Sequence, residues 1–182
     1  AGWLGEPATL PAGASAAEST VVEYKSTVWT PTEPTHNPEH RRSVVRALQT
    51  SVIKTVVAFL NTDGGELVIG LDDHQEVVGI EVDLAELGLA LDDLDAYELR
   101  LTELLRSRID RIVTQQVRIR FEDREGKHTC HVAVAPSPNP RFGLPFAADN
   151  EAPRPMFWVR TGNATNSLDG RDLIDYVSNH WH

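Results

Sequence analysis

The chain has 182 residues, 41% of them hydrophobic and 24% charged, enough for one domain with a core of its own and ordinary for a globular protein. A formal charge of −10 excludes a protein that coats nucleic acid with its whole surface, yet leaves room for a local basic groove. The one cysteine, Cys130, excludes an internal disulfide and a thiolate zinc site of the usual kind.

Ala1–Ala17 is rich in Gly, Pro, Ala and Ser and is expected to be a flexible linker (1–17), with one folded domain over 18–182. Val21–Val28 reads as a strand, with Val22 and Tyr24 facing one side and Val21, Glu23 and Lys25 the other. Trp29–Pro38 is a proline-rich loop, and Pro38 suits the first turn of a helix that runs to about Thr62. Val45, Leu48, Val52, Ile53, Val56, Val57 and Leu60 recur every three or four positions and form its buried face. Arg41, Arg42, Arg46 and Lys54 lie off that face. Asn61, Thr62 and Asp63 are poor helix residues, and Gly64 or Gly65 is expected at positive φ where the helix ends.

Glu66–Leu71 reads as an interior strand. Glu76–Val82 reads as its hairpin partner around Asp72–Gln75. Leu91–Val113 is a second helix with Leu94, Tyr97, Leu101, Leu104, Leu105 and Ile112 buried. Gln116–Glu122 and Lys127–Ala135 form another hairpin, in which Cys130 is a small buried hydrophobe. Ser137–Pro155 holds five prolines and reads as an ordered loop or lid. Met156–Arg160 is a strand, Asn163–Ser167 a polar loop, and Asp169 is expected to cap a last helix through Tyr176 that ends near Trp181. The string β-α-β-β-α-β-β-β-α predicts a single α/β (α+β) domain with a mixed β-sheet and packed helices. No segment approaches the ~18 apolar residues of a membrane helix, and no basic start with an apolar core marks a signal peptide, so a cytoplasmic protein without a membrane partner is expected.

Several chemistries are absent from the pattern. There is no phosphate loop, no G-x-G-x-x-G after a strand and no G-x-S-x-G elbow, so no ATP site is expected. His36-Asn37-Pro38-Glu39-His40 matches an inverted zinc-peptidase pattern, but Pro38 pushes Asn37 out of helical geometry and leaves His36 outside the helix. Glu23 and Lys25 share a strand face, either as a solvated pair or as a carboxylate and an ammonium facing a substrate. Glu18 joins them only if the chain bends near Ser19 or Thr20, and Asp63 would then close the site. Three oxygen ligands of this kind suit Mg²⁺ or Mn²⁺, which stabilise charge on a phosphodiester and activate water. Arg118 and Arg120 are either a solvated strand face or a groove wall. Arg160, near Asn163 and Thr165, either contacts phosphate or caps a loop.

Glu18-x4-Glu23-Tyr24-Lys25, the run from Val57-Ala58-Phe59-Leu60-Asn61-Thr62-Asp63-Gly64-Gly65 to Asp73, Val78-Gly79-Ile80, and the run from Phe157 to Thr165 together resemble the Schlafen AlbA-like domain, also described as DNA-binding or ATPase-like. The resemblance spans about Glu18 to Val177. It implies two competing functions. One is a metal-dependent endoribonuclease acting on structured, transfer-RNA-like substrates in stress or phage defence. There Glu18, Glu23 and Asp63, with Asp72 as the alternative third carboxylate, would be the metal ligands, Lys25 a catalytic partner, and Arg118, Arg120, Arg160, Asn163 and Thr165 nucleic-acid contacts. The other is a non-catalytic RNA- or DNA-binding or regulatory module. A single copy of a two-lobed groove further suggests a homodimer or a fusion domain outside this sequence. On the nuclease reading, Glu23→Gln is expected to preserve or raise stability, since unmetallated carboxylates repel one another.

Overall fold

The computed structural model describes residues 22–147 and 151–181, so Glu18 and the expected linker lie outside the described residues. The first strand, β1 (Val22–Lys25), runs parallel to β2 (Gly65–Ile69), and the helix between them, α1 (Pro38–Leu60), supplies the crossover a parallel pair requires. β2 pairs antiparallel with β4 (Lys127–Val134), which pairs antiparallel with β3 (Val117–Arg124). The sheet is therefore mixed, in the order β1-β2-β4-β3. A separate hairpin of β5 (Phe157–Thr161) and β6 (Ala164–Leu168) leans on α1, and the short α2 (Glu81–Glu86), α3 (Leu94–Arg108) and α4 (Gly170–His180) complete the domain.

Local chemistry sets the limits of α1. The Asn37 side chain accepts from the N–H groups of Glu39 (2.9 Å) and His40 (3.2 Å), and Pro38 follows it at the start of the helix. Asn37 is extended, so His36 lies outside the helix and cannot stack over His40. Gly64, at φ +82°, ends the helix and donates its N–H to the Phe59 carbonyl. By length and composition α1 is long and apolar enough to cross a bilayer, which corrects the expectation that no segment is. Here its second half is core: Val52, Ile53 and Val56–Leu60 are fully buried against Leu67, Ile69, Cys130 and Val132 of the sheet and Tyr97, Leu101 and Leu105 of α3.

The register decides which side chains share a face. Glu23 lies level with Leu67 and Lys25 with Ile69, so both point to the side on which α1 packs. Arg118 lies level with Ala133, and Arg120 with His131, which is itself level with Val68. These residues occupy the opposite face. The two sets of sequence-predicted site residues are thus separated by the sheet.

Three expectations for the elements are corrected. Residues 76–82 form no strand: Leu71 and Val77 make one isolated bridge, and the chain then enters α2. The cause is a pair of glycines in the left-handed region, Gly70 (φ +99°) and Gly79 (φ +83°), with the Gly70 carbonyl accepting both Val78 N–H (2.9 Å) and Gly79 N–H (3.0 Å). The polar run 163–167 is mostly strand, since Gly162 (φ +60°) and Asn163 make a two-residue turn that returns β6 along β5. α3 stops at Arg108, which leaves Ile112 47% exposed rather than buried. Asp169 does sit at the N-cap of α4, but its side chain makes no capping bond.

Candidate functional site

The corner that ends α1 is fastened before it is functional. The Asn61 side chain is buried, and its amide donates to the carbonyls of Arg141 (2.8 Å) and Trp158 (3.0 Å) while its oxygen accepts the Arg141 N–H (2.8 Å). Its main-chain carbonyl accepts the Tyr176 hydroxyl at 2.6 Å. One asparagine therefore ties α1 to the loop after β4, to β5 and to α4. Gly65 follows because nothing larger fits: a Cβ there would meet the Phe59 ring at 2.5 Å.

Phe59 also supports the charged cluster beside it. Arg160 on β5 lies over the Phe59 ring, with Cζ 5.5 Å from its centroid, and its side chain is 3% exposed. From there Arg160 donates to Glu23 Oε2 at 2.6 Å, and Lys25 donates to Glu23 Oε1 at the same distance. Arg160 also reaches Thr165 Oγ1 at 3.4 Å across the hairpin. Burial alone would raise the Glu23 pKa, but the hydrogen bonds and charges of Lys25 and Arg160 outweigh it and hold the carboxyl below its ordinary value. The result is a glutamate kept ionised, with each oxygen already bonded to a cation.

Of the residues expected to form the site, Glu23, Lys25, Arg160 and Thr165 come together. Asn163 is exposed at the hairpin turn. Asp63 is exposed just before β2, whereas Asp72 follows β2 and accepts the N–H groups of His74 and Glu76 at 2.8 Å each, closing its own turn. The two candidates for a third carboxylate therefore stand at opposite ends of one strand. Among the described residues no three of His, Cys, Asp or Glu are grouped to hold a metal ion. Glu23 does not fit a divalent cation as it stands, because Lys25 and Arg160 hold the oxygens a metal would take.

The arginines of the opposite face are engaged differently. Arg118 donates to the carbonyls of Thr114 (3.3 Å) and Val117 (3.1 Å). Arg120 pairs with Glu66 at 2.7 Å and with Glu122. His131, buried beneath them, places Nδ1 3.2 Å from Glu66 and Nε2 3.3 Å from Glu122. Its hydrogen bond pulls the Glu66 pKa down, against burial, and Arg120 adds to that effect. The roles of Phe59, Asn61 and Tyr176 were not readable from residue type, because each depends on a partner 80 to 115 positions away.

A family model described as Schlafen, AlbA_2 matches residues 18–169. Among solved structures, the DIP2311 protein from Corynebacterium diphtheriae is similar with a TM-score of 0.51 and 16% identity, over 90% of this chain and 24% of that one. This chain thus spans about a quarter of that protein's length, and the likeness concerns the fold. The N-terminal domain of a RecG-related protein from Nitrosomonas europaea, named for an ATP-dependent DNA helicase, matches at 22% identity and a TM-score of 0.42, over 86% of this chain and 85% of that one. No curated protein matches.

Proposed function

This chain belongs to the Schlafen AlbA_2 family, and from that premise we propose that it is a nucleic-acid-binding domain whose Glu23 cluster is architectural rather than catalytic. The observation that carries this reading is the double engagement of Glu23 by Lys25 and Arg160 at 2.6 Å each. A carboxylate held in this way orders β1 against the β5–β6 hairpin. It is a poor metal ligand until those bonds are broken. Lys25, 23% exposed, is the member of the cluster that can also reach an incoming phosphate oxygen.

A second reading, a Mg²⁺- or Mn²⁺-dependent endoribonuclease acting on structured RNA such as transfer RNA, is favoured by the same Lys25, an ammonium beside a carboxylate at the rim of the sheet. It requires Glu23 to leave Arg160 and to be joined by Glu18 or Asp63. One experiment separates the two. Labelled transfer RNA, single-stranded RNA and duplex DNA are titrated with the protein at low salt, and total RNA is incubated with it with and without Mn²⁺ and chelator. Saturable binding without cleavage is the expected result. Mn²⁺-dependent cleavage that Glu23→Gln abolishes would establish the nuclease instead, and no binding to any of the three would end both readings.

A further inference from the structure

Two arginines of α1 share a hollow with one aromatic ring, and a third arginine lies on that ring. Arg42 and Arg46 stand one turn apart on α1 and share a face. With Phe146, Ser43 and Glu39 they line a hollow of about 370 Å³. Arg108, the last residue of α3, lays its guanidinium on Phe146, with Cζ 3.6 Å from the ring centroid. Among the described residues of the lining Glu39 is the one carboxylate, beside two arginines with a third on the ring, in a chain whose formal charge is −10. No ion pair among the described residues takes Arg42 or Arg108. Burial, and after it the charge of Arg46, pull the Arg108 pKa down, so an anion beside Arg108 would favour its charged form.

We infer that this hollow is a contact site for the phosphodiester backbone of nucleic acid. The inference rests on the nucleic-acid-binding reading and gives it a location that the sequence did not suggest. Arg42 and Arg108 carry planar forks that match a pair of phosphate oxygens. Stacking on Phe146 holds one fork in place before a ligand arrives. Of the arginines first expected to bind, Arg118 and Arg120 are bonded to main-chain carbonyls or to Glu66 and Glu122, and Arg160 to Glu23. A small basic patch in an acidic chain engages few phosphates, so binding should be weak and sensitive to salt.

The test is a salt titration of binding to a short labelled RNA and to its DNA counterpart, starting at about 50 mM salt. The proteins are the parent, Arg42→Glu, the double variant Arg42→Glu/Arg108→Gln, and Arg118→Gln as control, each checked by its melting curve. Arg42 is exposed, so the single variant keeps the test decisive should the double variant fail to fold. The expected result is affinity lowered about tenfold by Arg42→Glu, a log–log salt slope reduced by about one for each arginine removed, and no change with Arg118→Gln. If the parent binds and the Arg42 and Arg108 variants bind equally well, the hollow is not the site, while the nucleic-acid reading stands. If the parent binds neither RNA nor DNA, both fall. If polyglutamate displaces the RNA as well as unlabelled RNA of equal charge does, the patch is a docking site for acidic protein and the inference is overturned.

Discussion

Arg160 and Glu23 lie 137 positions apart in the chain and meet at 2.6 Å, joining the second hairpin to the edge of the main sheet. This contact changes what Glu23→Gln should do. A glutamate among free carboxylates is relieved by losing its charge. A glutamate that neutralises a nearly buried arginine is not, because the arginine is left uncompensated. Glu23→Gln is therefore expected to destabilise the domain by roughly 2–3 kcal/mol, toward the low side for breaking a buried pair because Glu23 and Lys25 retain some contact with solvent. Denaturant melts check this, and Glu23→Gln/Arg160→Met should recover part of the loss. An unchanged or raised midpoint in the single variant would restore the view of Glu23 as a repelled, ligand-ready carboxylate.

Asn61→Ala should cost more than an exposed asparagine would. It strands the partly buried Arg141 N–H and the buried Trp158 carbonyl, at about 1–3 kcal/mol for each unmet group, less where water can reach. Hydrogen exchange should speed up first at the Arg141 amide. Equal protection of that amide in parent and variant would mean the loop after β4 is held by something else.

Gly65→Ala is expected to be more damaging than its size suggests, because the added carbon would meet the Phe59 ring, which in turn carries Arg160. Gly64→Val fails for a different reason: φ is +82° and the Cβ would lie 2.6 Å from the Val134 carbonyl oxygen. Both variants should give far less soluble protein than Gly126→Ala. Gly126 also has positive φ, but it has open space around it. Comparable yields for all three would show that the corner tolerates repacking.

Acid should unfold the protein through Glu23 and Glu66. Both carboxyls have folded pKa values below the ordinary 4.5, so their contributions are complete above that value and are lost as pH falls through the lowered folded pKa. Asp83 works in the opposite sense. Burial raises its pKa despite bonds from the N–H groups of Val28 and Trp29 and the hydroxyls of Thr30 and Tyr97. Its ionisation therefore costs stability as pH rises. Unfolding free energy measured between about pH 3 and pH 6 should fall less steeply on the acid side in Glu23→Gln and Glu66→Gln than in the parent. Identical slopes would remove both groups from the account.

Periodicity carried much of the fold. The spacing of Val45, Leu48, Val52, Ile53, Val56, Val57 and Leu60 placed the buried face of α1 from Val52 onward, Val45 and Leu48 being only half-buried, and Gly64 marked its end. What it missed were places where backbone geometry overrides composition. Gly70 and Gly79 turn a strand-like run into a loop and a helix, and Gly162-Asn163 makes a strand of a run that has Leu168 as its one large apolar residue. The site was legible only in part, since Glu23 and Lys25 share a face by strand geometry alone. Their partner Arg160 and the Phe146 ring beneath Arg108 come from distant segments, and no local spacing encodes a pairing across the fold.

β1 has only four residues, so its alignment with β2 rests on two things, the packing of Val22 and Tyr24 on one face and the Glu23 cluster on the other. A slip by one position would turn Val22 and Tyr24 toward Arg160 and drive Glu23 and Lys25 into the apolar cluster of Val68 and Leu71 on the other face. The mispaired strand would keep its main-chain bonds, yet it would bury two charges and abandon a third. Glu23 therefore acts as a key for strand alignment. Its loss should appear as conformational heterogeneity at the start of the domain, with doubled amide resonances for Val68 and Ile69, even under conditions where the rest of the fold is intact.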